Sequence, residues 1–375
     1  MWVAVILDEV KVTFSAIPAY GHLLPMVPLA AAAAAAGHDV TFAAGDTFAG
    51  RLPVRVVAGV PSGLTLHDAE EQAKAEITDR TDPFAFPTAM FGIVMPRHIV
   101  PRLHELWARE GAPDLVVHEG SNVGAAIAAR EVGVPSVSFH IAMGPPAFFL
   151  SVLSRVTDVE PGPTLDPRPA IWVADDEPPF DRVPIRSVAW SNATEPVPEW
   201  ISAAPGPKAY VTLGTVAFGA VEVMRRSVVE AAERCERVLV AAGPDGDPTA
   251  LGELPDRVRV ERFVDQAAVL DQVDLAIHHG GTGTVLGCLA AGVPQVVTPQ
   301  GADQFINAAR ISELGLGVAV GNDAPDRSVV AAVDRVLTDE LLRSRVVQAR
   351  DEIAAMPSPE SVVRLLEQLA DRGRS

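Results

Sequence analysis

The stretch from Ile277 to Pro299 reads IHHGGTGTVLGCLAAGVPQVVTP, and its order of residue types decides the fold. A mostly apolar run, Val273 to Ile277, ends in His278-His279. Three glycines and two threonines follow, and Val285 to Ala291 then read as a helix. Gly292-Val293-Pro294 turns the chain into a further strand, Gln295 to Thr298. Strand, glycine-rich turn and helix in that order bring backbone N–H groups and a positive helix end to one point, which attracts phosphate.

Working outward, the same alternation recurs. Before the motif lie the strand Tyr210 to Leu213, the turn Gly214-Thr215, a helix Val221 to Cys235, and strands Val238 to Ala242 and Val258 to Glu261. After it come a helix Phe305 to Leu314, a short strand Gly317 to Val320 and two terminal helices. The first half opens with the strand Val12 to Ala16, the turn Pro18 to His22, a helix to about Ala36 and the strand Val40 to Ala44. Pro25 and Pro28 fit only a first helical turn. Met1 to Val10 reads as an extra segment, with an edge strand as the alternative. From Ala49 to Arg109 the pattern loosens, with a polar helix at Asp68 to Asp79 and a Phe/Pro/Met-rich stretch from Pro83 to Met95. The strand Leu115 to His118, the helix Val123 to Val132 and the strand Ser136 to Phe139 follow. Ile141 to Pro184 reads as a long proline-rich irregular region, and Ala189 to Pro207 as a linker and hinge. The expectation is α/β: two facing, doubly wound Rossmann-like domains with a cleft between them. Residues 1–200 form one and 201–375 the other, the terminal helix packing back on the first.

Composition narrows the function. With 375 residues, 48% hydrophobic and 21% charged, the chain has core enough for two globular domains. Its net charge of −18, with only three lysines (Lys11, Lys74, Lys208), offers no basic stripe for nucleic acid and no basic apolar patch for a membrane. One small anion held by backbone amides remains compatible. Cys235 and Cys288 read as buried free thiols, which suits a cytoplasmic protein. The longest apolar run, Leu23 to Ala36, is too short to span a bilayer.

The residues with chemistry to offer sit at strand ends. At the glycine turn, one imidazole of the His278-His279 pair and several N–H groups can reach a diphosphate, the other histidine being core-facing. Thr215, at the end of the first strand of the same sheet, lands on the same edge. Phe263 and Val264 end another strand, where an aromatic ring beside exposed backbone suits a base. Asp303 is an N-cap type, and Asp303-Gln304 together also suit sugar hydroxyls. In the first half, His22 follows strand one at a helix start, which disfavours imidazolium and keeps the ring a competent base. Glu119 is the carboxylate placed to orient it. The remaining histidines show no metal-ligand spacing, so no metal or other cofactor is expected.

Together these motifs resemble the family 1 glycosyltransferases of the GT-B fold, in the actinobacterial branch that decorates macrolides, polyketides and enediynes. Pro18-Ala19-Tyr20-Gly21-His22-Leu23-Leu24-Pro25 resembles the family's Gly-His-x-x-Pro signature, and His278 to Thr284 with Gly292-Val293-Pro294 and Asp303-Gln304 its nucleotide-sugar signature. The resemblance spans about Val12 to Leu369, and the chain looks trimmed around Arg51 to Gly59. It implies inverting transfer of a deoxysugar from a nucleotide diphosphate donor, dTDP-linked, to a hydrophobic aglycone in antibiotic biosynthesis, with His22 as base. His278, Gly280, Gly281, Thr282 and the amides of Gly283 and Thr284 would hold the diphosphate. Thr215 would assist them, Phe263 and Val264 would meet the base, and Asp303 and Gln304 the sugar. Glu119 stands where the family's aspartate is usual, so either its longer side chain folds back to the ring or His22 works unassisted. The acceptor is placed against Phe84, Phe91, Met95 and Met143, with core packing the alternative for each. The oligomeric state stays open, a homodimer included. The second reading is a non-catalytic, nucleotide-binding auxiliary protein of the same family.

Overall fold

The computed structural model describes residues 9–190, 197, 199–214, 221–243 and 247–374. Two sheets carry the molecule. The first comprises β1 (Lys11–Ser15), β2 (Asp39–Ala44), β3 (Arg55–Ala58), β4 (Leu115–Glu119), β5 (Ser136–Phe139), β6 (Thr164–Asp166) and β7 (Arg182–Pro184), in the order β3-β2-β1-β4-β5-β6-β7. The second comprises β8 (Lys208–Thr212), β9 (Arg237–Ala241), β10 (Val258–Glu261), β11 (Leu275–His278), β12 (Gln295–Val297) and β13 (Gly317–Ala319), in the order β10-β9-β8-β11-β12-β13. Every pairing is parallel. Strands covered on both faces must be apolar throughout, and Leu115–Val116–Val117 and Val238–Leu239–Val240 are buried accordingly. The expectation of two doubly wound domains holds.

Chain order reverses at β1 in the first sheet and at β8 in the second. Loops leaving β1 and β4 therefore diverge around one crevice, and loops leaving β8 and β11 around another. These crevices lie at the carboxyl ends of the strands, where the sequence places His22 and the glycine turn.

Several segments differ from the sequence reading. The first helix is three pieces: Tyr20–Leu23, a 3-10 turn Leu24–Met26 and Val27–Ala35, with each proline in the first two positions of its own piece. The polar helix begins earlier, at Leu66–Glu76, because Thr65 and Asp68 form a capping box. The loosened stretch is largely helical, running from Ala85 through a π-helical Thr88–Val94 into Met95–Glu110 with Pro101 inside. The expected irregular region contains a helix, Ala147–Val156, and the last two strands on one side of the sheet, β6 and the edge strand β7. Three-residue strands carry too little periodicity to be seen in sequence; buried charge holds them instead. Arg168, fully buried, forks to Asp166 and Glu177 (2.9 Å each), while Arg182 reaches Asp166 at 2.8 Å. The linker expectation falls partly on residues 191–196 and 198, outside the described ones.

Contacts in several places join the halves. The terminal helix Pro359–Arg374 lays Val362, Val363, Leu366 and Leu369 into the first domain's core, and Glu367 meets His38 at 3.1 Å. Met143 and Trp172 leave the first domain to pack in the second domain's core, where Arg310 donates to the Trp172 carbonyl (3.0 Å). Among the described residues, no helix is long and apolar enough to cross a membrane.

Burial keeps several histidines neutral, His118 among them. Burial pushes His278 down to about 3, and His279 and His140 to about 4. An unfolded histidine titrates near 6.5, so in between the unfolded chain binds more protons. Stability from these groups is thus complete above about pH 6.5 and is lost as pH falls. By pH 5, before most carboxylates protonate, each should cost on the order of 2 kcal/mol. Chemical denaturation across pH 5–7.5 should show this slope, and His278→Asn should flatten it by about one proton; an unchanged slope would contradict the assignment.

Candidate active site

After β1 the chain turns through Ala16 to Ala19, and the backbone N–H of His22 donates to the Ala19 carbonyl (3.1 Å). This fixes the ring at the mouth of the first crevice with its side chain 23% exposed. Glu119 ends the neighbouring β4 and is fully buried. Its carboxylate does fold back: Oε1 lies 3.3 Å from His22 Nδ1. Burial alone would push this carboxyl up. His22 beside it and hydrogen bonds from the Ser121 N–H (2.6 Å) and hydroxyl (2.7 Å) outweigh that and hold it below the usual range. Glu119 is therefore ionised, an acceptor suited to a ring N–H at Nδ1. A neutral ring in that tautomer has Nε2 free, the state a general base requires. Ser121 escaped sequence reasoning, since a serine two residues past a strand carries no pattern of its own.

The second crevice sorts the histidine pair. His278, the last residue of β11, has no solvent exposure. Its Nδ1 accepts from the Gly280 N–H (3.0 Å) and its Nε2 meets the Gln295 carbonyl oxygen (2.9 Å). With both ring nitrogens engaged internally, the His278 side chain is the core-facing one of the pair and does not lie at the opening. The ring near the opening is His279. A Cβ added at Gly214 would lie 2.5 Å from His279 Cε1, and one at Gly281 would lie 2.4 Å from Nε2. Two glycine turns are thus shaped around this ring. Among the described residues, His279 Nδ1 is buried without a partner. The signal was present in the doubled histidine, but strand alternation alone did not say which ring points inward.

The helix Thr282–Ala291 starts at Gly281 with no side-chain cap. Its first N–H groups, at Thr282 and Gly283, have no intrahelical acceptor, and the space beside Gly283 is open. The Thr284 N–H is already used by the Gly281 carbonyl (3.1 Å), and the Thr284 hydroxyl, nearly buried, faces Gln266 (3.4 Å). So the amide pair facing outward is Thr282-Gly283, one residue earlier than expected. Thr215 falls outside the described residues.

Asp303 takes the N-cap position of Gln304–Leu314, yet its side chain makes no cap bond. Its Oδ2 instead accepts from Asn307 (3.1 Å) and Thr282 (3.5 Å), tying the two turns together. The preceding Ala302 sits at φ 51°, a left-handed conformation rare for a residue with Cβ. Gln304 is nearly buried, and its carbonyl oxygen accepts from the Gln300 and Gly301 N–H groups (2.8 and 3.1 Å). Its NH2 end takes no part in these bonds. Phe263 is 59% exposed beside the half-buried Val264, so an aromatic face is open at that strand end.

Of the acceptor residues, Met95 and Met143 take the alternative reading, core packing. Met95 is fully buried in the core under β4, and Met143 is locked beneath Trp172, whose ring N–H donates to the Met143 carbonyl (2.7 Å). Phe84 and Phe91 remain half-buried. Phe84 stacks on Phe148 (centroids 5.4 Å) and Phe91 meets Phe149 edge-on (5.9 Å), an aromatic cluster reaching the surface through Phe148.

Comparison with known proteins gives the family. Residues 226–369 match the family described as erythromycin biosynthesis protein CIII-like, C-terminal domain. The chain is 31% identical to an L-demethylnoviosyl transferase from Streptomyces niveus, over 97% of this chain and 99% of that one. It is 27% identical to a 3-alpha-mycarosylerythronolide B desosaminyl transferase from Saccharopolyspora erythraea, over 96% and 98%. The crystal structure of the glycosyltransferase SnogD from Streptomyces nogalater superposes with a TM-score of 0.76 at 27% identity, covering 97% of this chain and all of that one. Fold, site and relatives converge: the chain is a glycosyltransferase, and it belongs to family 1, in the actinobacterial natural-product branch of the GT-B fold.

Proposed function

We propose that the chain catalyses inverting transfer of a deoxysugar from a dTDP-linked donor to a hydrophobic natural-product aglycone. The observation that carries this reading is the His22–Glu119 pair at one switch point, matched by an uncapped helix start at the other. His22 Nε2 takes the proton of an acceptor hydroxyl as that oxygen attacks the anomeric carbon. The bond from that carbon to the diphosphate oxygen breaks from the opposite side, and dTDP leaves with both electrons. Glu119 stabilises the imidazolium that forms.

The departing charge falls on the Thr282 and Gly283 amides and the positive end of the Thr282–Ala291 helix, with the His279 ring alongside. We assign no metal to this step. Phe263 and the Val264 backbone take the base, and Asp303 with the Gln304 NH2 takes the sugar. The aromatic cluster of Phe84, Phe91, Phe148 and Phe149 suits a flat or greasy acceptor. The names of the two similar transferases, each specifying a glycosyl group, support sugar transfer to a natural product.

His22→Ala should lower transfer at least about a hundredfold while leaving dTDP affinity by calorimetry nearly unchanged. Retained activity would remove His22 from the base role. His279→Ala should weaken dTDP binding about tenfold, worth about 1.4 kcal/mol. Wild-type affinity in His279→Ala would return the phosphate contact to backbone alone.

A further inference from the structure

We infer that Ser121 is a positioning residue for His22: it clamps the Glu119 carboxylate and, as a second acceptor, fixes the ring as its Nδ1–H tautomer. The inference rests on the reading of His22 as base for its functional meaning, though the geometry stands without it.

Three groups meet at one buried point. Ser121 and Glu119 are both wholly inaccessible to solvent. The Ser121 hydroxyl oxygen lies 2.7 Å from Glu119 Oε2, 2.9 Å from Oε1 and 3.2 Å from His22 Nδ1. The Ser121 backbone N–H adds a bond to Oε2 at 2.6 Å, and the Ile17 N–H reaches Oε1 at 3.5 Å.

A serine hydroxyl has one proton to give. An ionised carboxylate is acceptor-only, so two short contacts to Glu119 commit that proton to the carboxylate. The hydroxyl lone pairs then face His22 Nδ1. Glu119 Oε1, the other neighbour of Nδ1 at 3.3 Å, is also an acceptor. Nδ1 must therefore carry hydrogen and share it between the two oxygens. If Nδ1 were bare, its lone pair would confront a carboxylate across 3.3 Å in a buried site, an arrangement costly at low dielectric. Glutamate makes the clamp necessary. Its extra methylene gives the carboxylate freedom that a shorter side chain lacks, and Ser121 removes it by gripping Oε2 twice. The loop itself is held: the Gly120 N–H donates to the Phe139 carbonyl (2.8 Å), and the Asn122 side chain donates to the Ser15 hydroxyl (2.9 Å).

The same argument predicts an inversion. In Glu119→Gln, the fixed Ser121 N–H demands an acceptor, so the amide oxygen takes the Oε2 place and the NH2 turns to His22. Nδ1 then becomes the acceptor and the proton moves to Nε2, the nitrogen required bare for catalysis.

The test is long-range 15N–1H NMR on the full chain labelled with 15N-histidine near pH 8, where free histidine is neutral, with His22 identified by its loss in His22→Gln. Wild type should show a protonated Nδ1 and a bare Nε2, and Glu119→Gln the reverse. Ser121→Ala should show averaged, mixed-tautomer shifts, and Ser121→Thr, which keeps the hydroxyl, the wild-type pattern. A pure wild-type pattern in either Ser121→Ala or Glu119→Gln overturns the inference, and this holds even if Ser121→Thr folds poorly. Because the readout needs no substrate, full transfer by His22→Ala would sink the base assignment alone, leaving the tautomer result to stand or fall separately.

Discussion

The strand order is the constraint on which the rest depends. In both sheets the chain runs outward in one direction, returns, and resumes on the other side of its first strand. Only at that reversal do two adjacent strands send their loops apart, leaving backbone and side chains exposed at a sheet edge that is otherwise sealed by crossover helices. The first sheet spends its reversal on His22 and Glu119, the second on Gly214 and the His278 to Thr284 turn. Each half-site lies at the one place its sheet leaves open. The terminal helix on the first domain, and Met143 with Trp172 in the second, tie the two sheets to one another.

Burial then decides which polar group does what. His278 and Glu119 share zero exposure, yet their partners differ. His278 is neutral, with one nitrogen bonded to the Gly280 N–H and the other to Gln295 on β12, so it ties the turn to the neighbouring strand. Glu119 is charged, surrounded by donors, and directed at a ring with one nitrogen left over. His279 is intermediate: its ring fills the space two glycines vacate, and one of its nitrogens lacks a partner among the described residues. A residue's distance from solvent and its unspent hydrogen-bonding capacity, taken together, separate scaffold from working parts here.

Much of this was legible in sequence. Apolar strands that end in glycine or histidine, alternating with helices, gave the two doubly wound domains. The position of His22 after β1 and Glu119 at the end of β4 followed from parallel topology. What was hidden has physical reasons. His278 and His279 are adjacent, and only packing against Gln295 and Gly214 shows which one turns inward. Asp303 has the composition of a cap, but Asn307 and Thr282 claim its carboxylate instead. Met95 and Met143 looked like contacts for a greasy substrate because methionine serves cores and binding faces alike. β6 and β7 were lost in a proline-rich stretch because a buried arginine, rather than hydrophobic periodicity, holds them.

The central claim is that the second switch point cradles a diphosphate within reach of a base on the first. A crystal structure of the chain with dTDP tests it most directly. The account requires the phosphates on the Thr282 and Gly283 amides beside the His279 ring, His278 still buried against Gln295, and His22 facing the β-phosphate across the crevice. Diphosphate bound elsewhere, or bound here with the His278 ring swung out to meet it, would contradict it.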